Sequence, residues 1–130
     1  MSRSTTHRSS DAEFNGKLLY VIGAGFQAAA AVNRLGHFVA PCDGTIRQLN
    51  ANFTTTPTHA TNNLSFGTVA DIDSHLNEID VTDLATGNVD YIAHANVLSL
   101  TISKGEAYAW GWDCGDTTGF LVTSIVIEPR

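Results

Sequence analysis

GHFVAPCDGTIRQLNANF, residues 36–53, is the stretch whose reading decides the fold. His37, Phe38, Val39 and Ala40 form an extended run, and Pro41 ends it, because its ring fixes φ and offers no N–H to a ladder. Asp43-Gly44 is a turn dipeptide in which glycine is free to take the positive φ of many tight turns. A second strand follows from Thr45 to Phe53, but its alternation is imperfect. Thr45, Arg47, Asn50 and Asn52 are polar while Ile46, Leu49 and Phe53 are apolar. A bulge near Gln48-Leu49 restores the period of two. The stretch therefore reads as strand, tight turn, strand.

Working outward, the same grammar recurs. Residues 17–22 are a short β-forming run stopped by Gly23-Ala24-Gly25. Residues 26–35 are ambiguous between helix and strand: Ala28 to Ala31 favour a helix, which Gly36 would stop. Downstream, a polar loop with Pro57 gives way to an alternating strand over 64–69. Residues 71–90 hold many acids and few large side chains, which predicts irregular structure with one short helical turn near 73–79. Further strands are expected over 97–102, 107–112 and 120–128, separated by turns at Lys104-Gly105 and across 115–119. Short strands punctuated by glycine-rich turns predict an all-β chain, a single antiparallel β-sandwich. Residues 1–15 read as a flexible N-terminal arm and 16–130 as the sandwich domain.

The 130 residues suit one domain with a real core. The longest apolar run is far short of the ~20 residues of a membrane-spanning helix, so no membrane partner is expected. The start, MSRSTTHRSSDAEF, lacks the apolar centre of a secretory signal, which predicts that the chain stays in the compartment where it is made. Net charge is −6, unevenly spread: residues 1–10 carry Arg3 and Arg8 and no acid. The remaining 120 residues hold 13 acidic and 5 basic side chains, a balance of −8. Such a body is a poor match for nucleic acid, whose phosphates need clustered Lys and Arg. The basic arm reads either as a solvated tail or as a segment that orders on a partner. Cys42 and Cys114 form no CxxC pair; two free thiols or one disulfide are both open.

One motif points elsewhere. Gly23-x-Gly25-x-x-Ala28 follows an apolar run, and Asp43 lies 20 residues after Gly23, the spacing of a dinucleotide-binding fingerprint. Pro41, two residues before the acid, would interrupt the central parallel strand that motif requires. The residues after it offer no alternating helices and strands to build the crevice. The glycines are therefore read as a turn. The histidines, His7, His37, His59, His75 and His94, are scattered singly, without metal-ligand spacing. Asp71-x-Asp73 and Asp80-x-x-Asp83 lack the glycine and bidentate Glu of a calcium loop. No GxSxG or local Cys–His signature is present. No cofactor, no metal and no catalysis are expected. Tyr108, Trp110 and Trp112 alternate onto one sheet face, as core, as subunit interface, or as a sugar-stacking platform.

The turn Ala40-Pro41-Cys42-Asp43-Gly44-Thr45-Ile46, the segment Val97-Leu98-Ser99-Leu100-Thr101, the Gly/Thr-rich loop after it and the closing Val122-Thr123-Ser124-Ile125-Val126-Ile127-Glu128 resemble the small head-decoration (cement) proteins of bacteriophages. The resemblance covers residues 37–130. It implies a jelly-roll-like sandwich on the capsid exterior, a homotrimer made in the host cytoplasm that bridges major capsid protein subunits. Arg3 and Arg8 are then candidates for capsid contact, and Tyr108, Trp110 and Trp112 for the subunit interface. A glycan-binding module of a phage tail or cell surface is the alternative for the same fold.

Overall fold

The computed structural model describes residues 11–14, 17–27, 32–55, 62–81, 87–114 and 119–130. Ten strands follow in chain order: β1 (Asp11–Phe14), β2 (Lys17–Gln27), β3 (Val32–Val39), β4 (Gly44–Thr55), β5 (Asn62–Thr68), β6 (Leu76–Asp80), β7 (Gly87–Asp90), β8 (Thr101–Ile102), β9 (Ala107–Cys114) and β10 (Phe120–Pro129). They form two antiparallel sheets. Sheet A has the order β1-β2-β10-β4-β7, with β8 also on β4, and sheet B the order β3-β9-β5-β6. The all-β sandwich expected from the sequence is what the chain adopts.

The pairing also fixes the kind of sandwich. β2 pairs with β10, β3 with β9, β4 with β7 and β5 with β6. Each early strand thus meets a late one in nested order, as if one long hairpin bent at residues 69–75 had been rolled up. That is the jelly roll, which brings distant strands into two facing sheets. Most connections cross from one sheet to the other, and residues 36–53 show why. Val39 ends β3 of sheet B, and Ala40, Pro41, Cys42 and Asp43 carry the chain over to sheet A.

Two expectations at that corner change in detail. Gly44 does not take a positive φ; among the described glycines that conformation belongs to Gly36, Gly105 and Gly119. Gly44 is needed for closeness instead: a Cβ there would lie 2.7 Å from Ile127 Cγ2 and 2.8 Å from the Glu128 carbonyl oxygen. The neighbouring turn braces the corner. The Lys104 N–H donates to Asp43 Oδ1 (2.8 Å), and the Gly105 N–H to the Ala40 carbonyl (3.0 Å). The bulge falls one residue before its expected place: Val126 faces Gln48 but Ile127 faces Ile46, leaving Arg47 as the extra residue. Ile46 and Leu49 consequently both point inward, each 1% exposed.

Elsewhere the sequence misled. Gly23 and Gly25 form no turn and do not stop the first strand; they sit within β2, opposite Ser124 and Val122. Phe26, Gln27 and Val32 to Leu35 are strand, so no helix runs through that segment, while the alanines 28–31 lie outside the described residues. The helical turn expected near 73–79 is replaced by β6, and β7 was not anticipated. The strand expected over 97–102 narrows to β8 plus a single bridge from Val97 to Leu76. Residues 11–14, placed in the arm by sequence, pair with β2 as an edge strand. Cys42 is a free thiol.

The core lies between the sheets. Leu121, Ile125 and Ile127 of β10 with Ile46, Leu49 and Phe53 of β4 face Leu64 and Phe66 of β5 and Trp110 and Trp112 of β9, all at most 1% exposed. Each such side chain contributes about 1.5–3 kcal/mol by leaving water. Phe53 and Trp112 meet across the gap with ring centroids 5.5 Å apart.

Candidate interaction surface

Tyr108, Trp110 and Trp112 share one face of β9, as read from sequence, but that face is the core: they are 2%, 1% and 1% exposed. They touch Phe38, Phe66 and Phe53 within the chain and present no surface to a second subunit. Their polar atoms are satisfied internally. The Ser103 N–H donates to the Tyr108 hydroxyl (2.9 Å), and Trp112 Nε1–H donates to Asn62 Oδ1 (2.6 Å). A sugar platform would need these rings in solvent, so the glycan-binding reading loses the residues it rested on. Arg3 and Arg8 lie outside the described residues.

The middle of the outer face of sheet B is covered as well. Between the aromatics, β9 carries Ala109 and Gly111, and β5 carries Ser65 and Gly67; all four are buried although they point away from the core. Residues 69–75 fold over them. A Cβ on Gly111 would lie 2.8 Å from Ile72 Cγ1, and one on Gly67 2.6 Å from the Ser74 nitrogen. Arg34 Nε–H donates to the Val69 carbonyl (2.9 Å), tying β3 to this cover. At its far end His75, 8% exposed, donates Nε2–H to the Thr101 carbonyl (2.6 Å). Its Nδ1 then accepts from the Ser74 hydroxyl (2.9 Å), whose oxygen accepts the Thr68 N–H (3.2 Å). The cover carries Asp71, whose carboxyl is held above its ordinary value chiefly by a hydrogen bond with Asp73. The signal in the sequence was the run of small residues between the aromatics, which makes a floor for another segment.

Sheet A is different. Cross-strand partners of an antiparallel pair share a face, so the register defines the outer surface. β2 supplies Val21, Gly23 and Gly25; β10 supplies Phe120, Val122, Ser124 and Val126; β4 supplies Gln48, Asn50 and Asn52. None of these is charged. Phe120 and Val122 are 37% and 40% exposed, and Val21 and Val126 are half-buried. Asn50 Nδ2 donates to Gln48 Oε1 and to Ser124 Oγ, both at 3.1 Å, so the amides form a ladder along the face. Charge appears at the margins: Arg47 pairs with Glu128 at 2.8 Å, which raises the Arg47 pKa, and the Asp90 carboxylate accepts the N–H groups of Leu49 and Ile92. Asp43, Asp71, Asp73, Glu78, Asp80 and Glu106 lie on loops or sheet B. Among the described residues no group of three metal-ligating side chains occurs.

An uncharged face of small, amide and valine side chains on an acidic body has the composition of an interface centre, where charged residues are depleted. Such a face suits contact by shape and hydrogen bonding more than by electrostatic steering. It was not legible as a site because its residues come from three strands far apart in sequence.

The geometry defines the class: a jelly roll in which, among the described residues, the broad uncharged face is the outside of sheet A. No protein-family model matches the chain, and no curated protein matches it either. Two solved structures share its fold. One is a chain in the acidic stable capsid structure of Helicobacter pylori bacteriophage KHP30, with a TM-score of 0.58 and 14% identity, covering 86% of this chain and 89% of that one. The other is a chain of the cyanophage Pam1 capsid asymmetric unit, with a TM-score of 0.54 and 10% identity over 100% of this chain and 98% of that one. At these identities the likeness is one of fold.

Proposed function

We propose that the chain is a non-enzymatic structural protein of a phage virion that decorates the capsid exterior and bridges neighbouring major capsid protein subunits. The observation that carries the reading is the near end-to-end match in fold and extent to chains of two phage capsid structures. The uncharged outer face of sheet A supplies the contact: it is broad, rigid and free of the like-charge repulsion that the acidic remainder of the body would bring to a crowded lattice. Many copies on a lattice need only modest interfaces each, because each bridges subunits already held together. Copies cluster as trimers around positions where capsid subunits meet. Their mutual contacts use surface outside the aromatic strand, since Tyr108, Trp110 and Trp112 are internal. Arg3 and Arg8 add contacts from the N-terminal segment to an acidic shell; as exposed pairs they contribute about 0–1 kcal/mol each.

The test is sedimentation of the purified protein, alone and mixed with undecorated heads of its phage. Saturable co-sedimentation with heads, and none without, is the expected outcome. A protein that stays in the supernatant at all head concentrations would falsify the proposal.

A further inference from the structure

The outer face of sheet A has two halves. Its β4 side is a row of amides, and its β10 and β2 side is apolar or bare. Pairing sets Gln48 beside Val126, Asn50 beside Ser124 and Asn52 beside Val122, and the register runs from Gln48 to Phe53 without a shift. This is the regular part of β4, so the three amides leave one face at intervals of about 6.8 Å, two residues of extended chain. Asn50 Nδ2 commits its two hydrogens to Gln48 Oε1 and Ser124 Oγ. Each of these side chains is thereby held at one end and keeps another group for a partner: the Gln48 Nε2–H groups, Asn50 Oδ1 and the Ser124 hydroxyl proton. Asn52, half-buried, makes no side-chain hydrogen bond among the described residues. A row oriented before its partner arrives binds with less ordering cost.

The chemistry of the row selects its occupant. A charged group pressed against it would lose water and find no counter-charge, so the partner surface is uncharged. Donors and acceptors repeated every two residues match an extended main chain, whose N–H and C=O groups recur along one edge at the same interval. A second copy of this chain is a poor occupant. Three strands about 4.8 Å apart, over six residues of length, span on the order of 300 Å². A stable complex buries about 800 Å² per partner, and a face-to-face pair would also bring two acidic bodies together. We propose that Gln48, Asn50 and Asn52 are the specificity-determining residues of the capsid contact. They bind the main chain of an extended, uncharged segment of the major capsid protein, with Val122 and Val126 packed beside it. The inference rests on the capsid reading and names the chemistry that the contact recognises.

The test is co-sedimentation of the full chain and its variants with undecorated heads. Asn52→Ala and Asn52→Leu remove no hydrogen bond of the described fold, so both are expected to keep the parent's circular dichroism spectrum and melting temperature. Both should bind heads about tenfold more weakly or worse, because a main-chain group of the partner is left buried without its amide. The leucine separates hydrogen bonding from burial, since a merely apolar contact would hold it as tightly as the parent or more tightly. Asn63→Ala, on β5 between the inward-facing Asn62 and Leu64, alters the outer face of sheet B and should bind like the parent. Cross-linking identifies the occupant: a diazirine-bearing leucine analogue at Val122 and, separately, at Val126 should capture residues about four apart on one run of the capsid protein. Parent-like binding by Asn52→Leu, or capture of unrelated segments from the two positions, overturns the inference and leaves the capsid reading in place. A parent that does not sediment with heads overturns both.

Discussion

Asn62 is 0% exposed, and its side chain is committed at both ends. Oδ1 accepts from Trp112 at 2.6 Å and Nδ2 donates to the Val81 carbonyl at 3.4 Å. Replacing it with alanine strands the indole N–H away from water, so Asn62→Ala is expected to destabilise by about 1–3 kcal/mol in urea unfolding. Tyr91 is the opposite case. It is 5% exposed, and its hydroxyl makes no hydrogen bond among the described residues. Tyr91→Phe is therefore expected to be neutral or stabilising at pH 7. Burial also raises the Tyr91 pKa. The neutral phenol is favoured by folding, so stability falls as pH climbs from the unfolded value of about 10 toward the higher folded one. The phenylalanine variant should lose less stability than the parent over that interval when melting is followed from pH 9 upward. None of this was legible in the sequence. Asn62 reads as loop from its polar neighbours, and its burial follows only from facing the end of an aromatic strand whose Trp112 lies 50 residues away.

At the scale of the element, alternation of large and small side chains carried the prediction, and it failed where strands are short and polar. β10 and β9 were found because large and small residues alternate; β6 was missed because Asn77, Glu78 and Asp80 face solvent, and β7 because it is only four residues long. The glycines of β2 resemble a turn, yet the pairing with β10 holds them extended, so tertiary pairing overrides local preference. β4 lies between: its broken alternation was visible and the bulge follows from it. Arg47 is the extra residue, so a chain lacking Arg47 would have Ile46, Gln48 and Leu49 in regular in-out-in order against Ile127, Val126 and Ile125. Deleting Arg47 is expected to leave a cooperatively unfolding protein that has lost the Arg47–Glu128 pair. Deleting Asn50 instead turns one end of β4 inside out, exposing either Leu49 and Ile46 or Ala51 and Phe53. Circular dichroism melts should show a sharp transition for the first and none for the second. Equal behaviour would mean that the bulge does not set the register.

For the whole molecule, the sandwich was legible in the spacing of strands, but the surface left for function was not. Which face is free depends on which is already covered. The cover over sheet B is built by residues 69–75 at the bend of the rolled hairpin, a segment whose acids suggest only a solvated loop. With the middle of that face covered and the aromatics internal, sheet A offers the broad uncharged surface among the described residues, and a charge placed there should discriminate between its roles. Val122 is 40% exposed and points away from the core, so Val122→Glu costs the fold at most about 1 kcal/mol in strand preference. On a capsid the same carboxylate would be pressed into the contact and lose its water, a cost of several kcal/mol for an unpaired charge. The expected result is an unchanged circular dichroism spectrum, a melting temperature within a few degrees of the parent, and head binding weakened about a hundredfold or more. A matched glutamate at Leu98, 65% exposed and remote from that face, should bind like the parent. If both variants bind normally, the contact lies off sheet A. If both fail alike, added negative charge anywhere on the body is what the lattice rejects, and raising the salt to 0.5 M should then restore binding for both, because exposed charges are screened within about 4–5 Å at that strength.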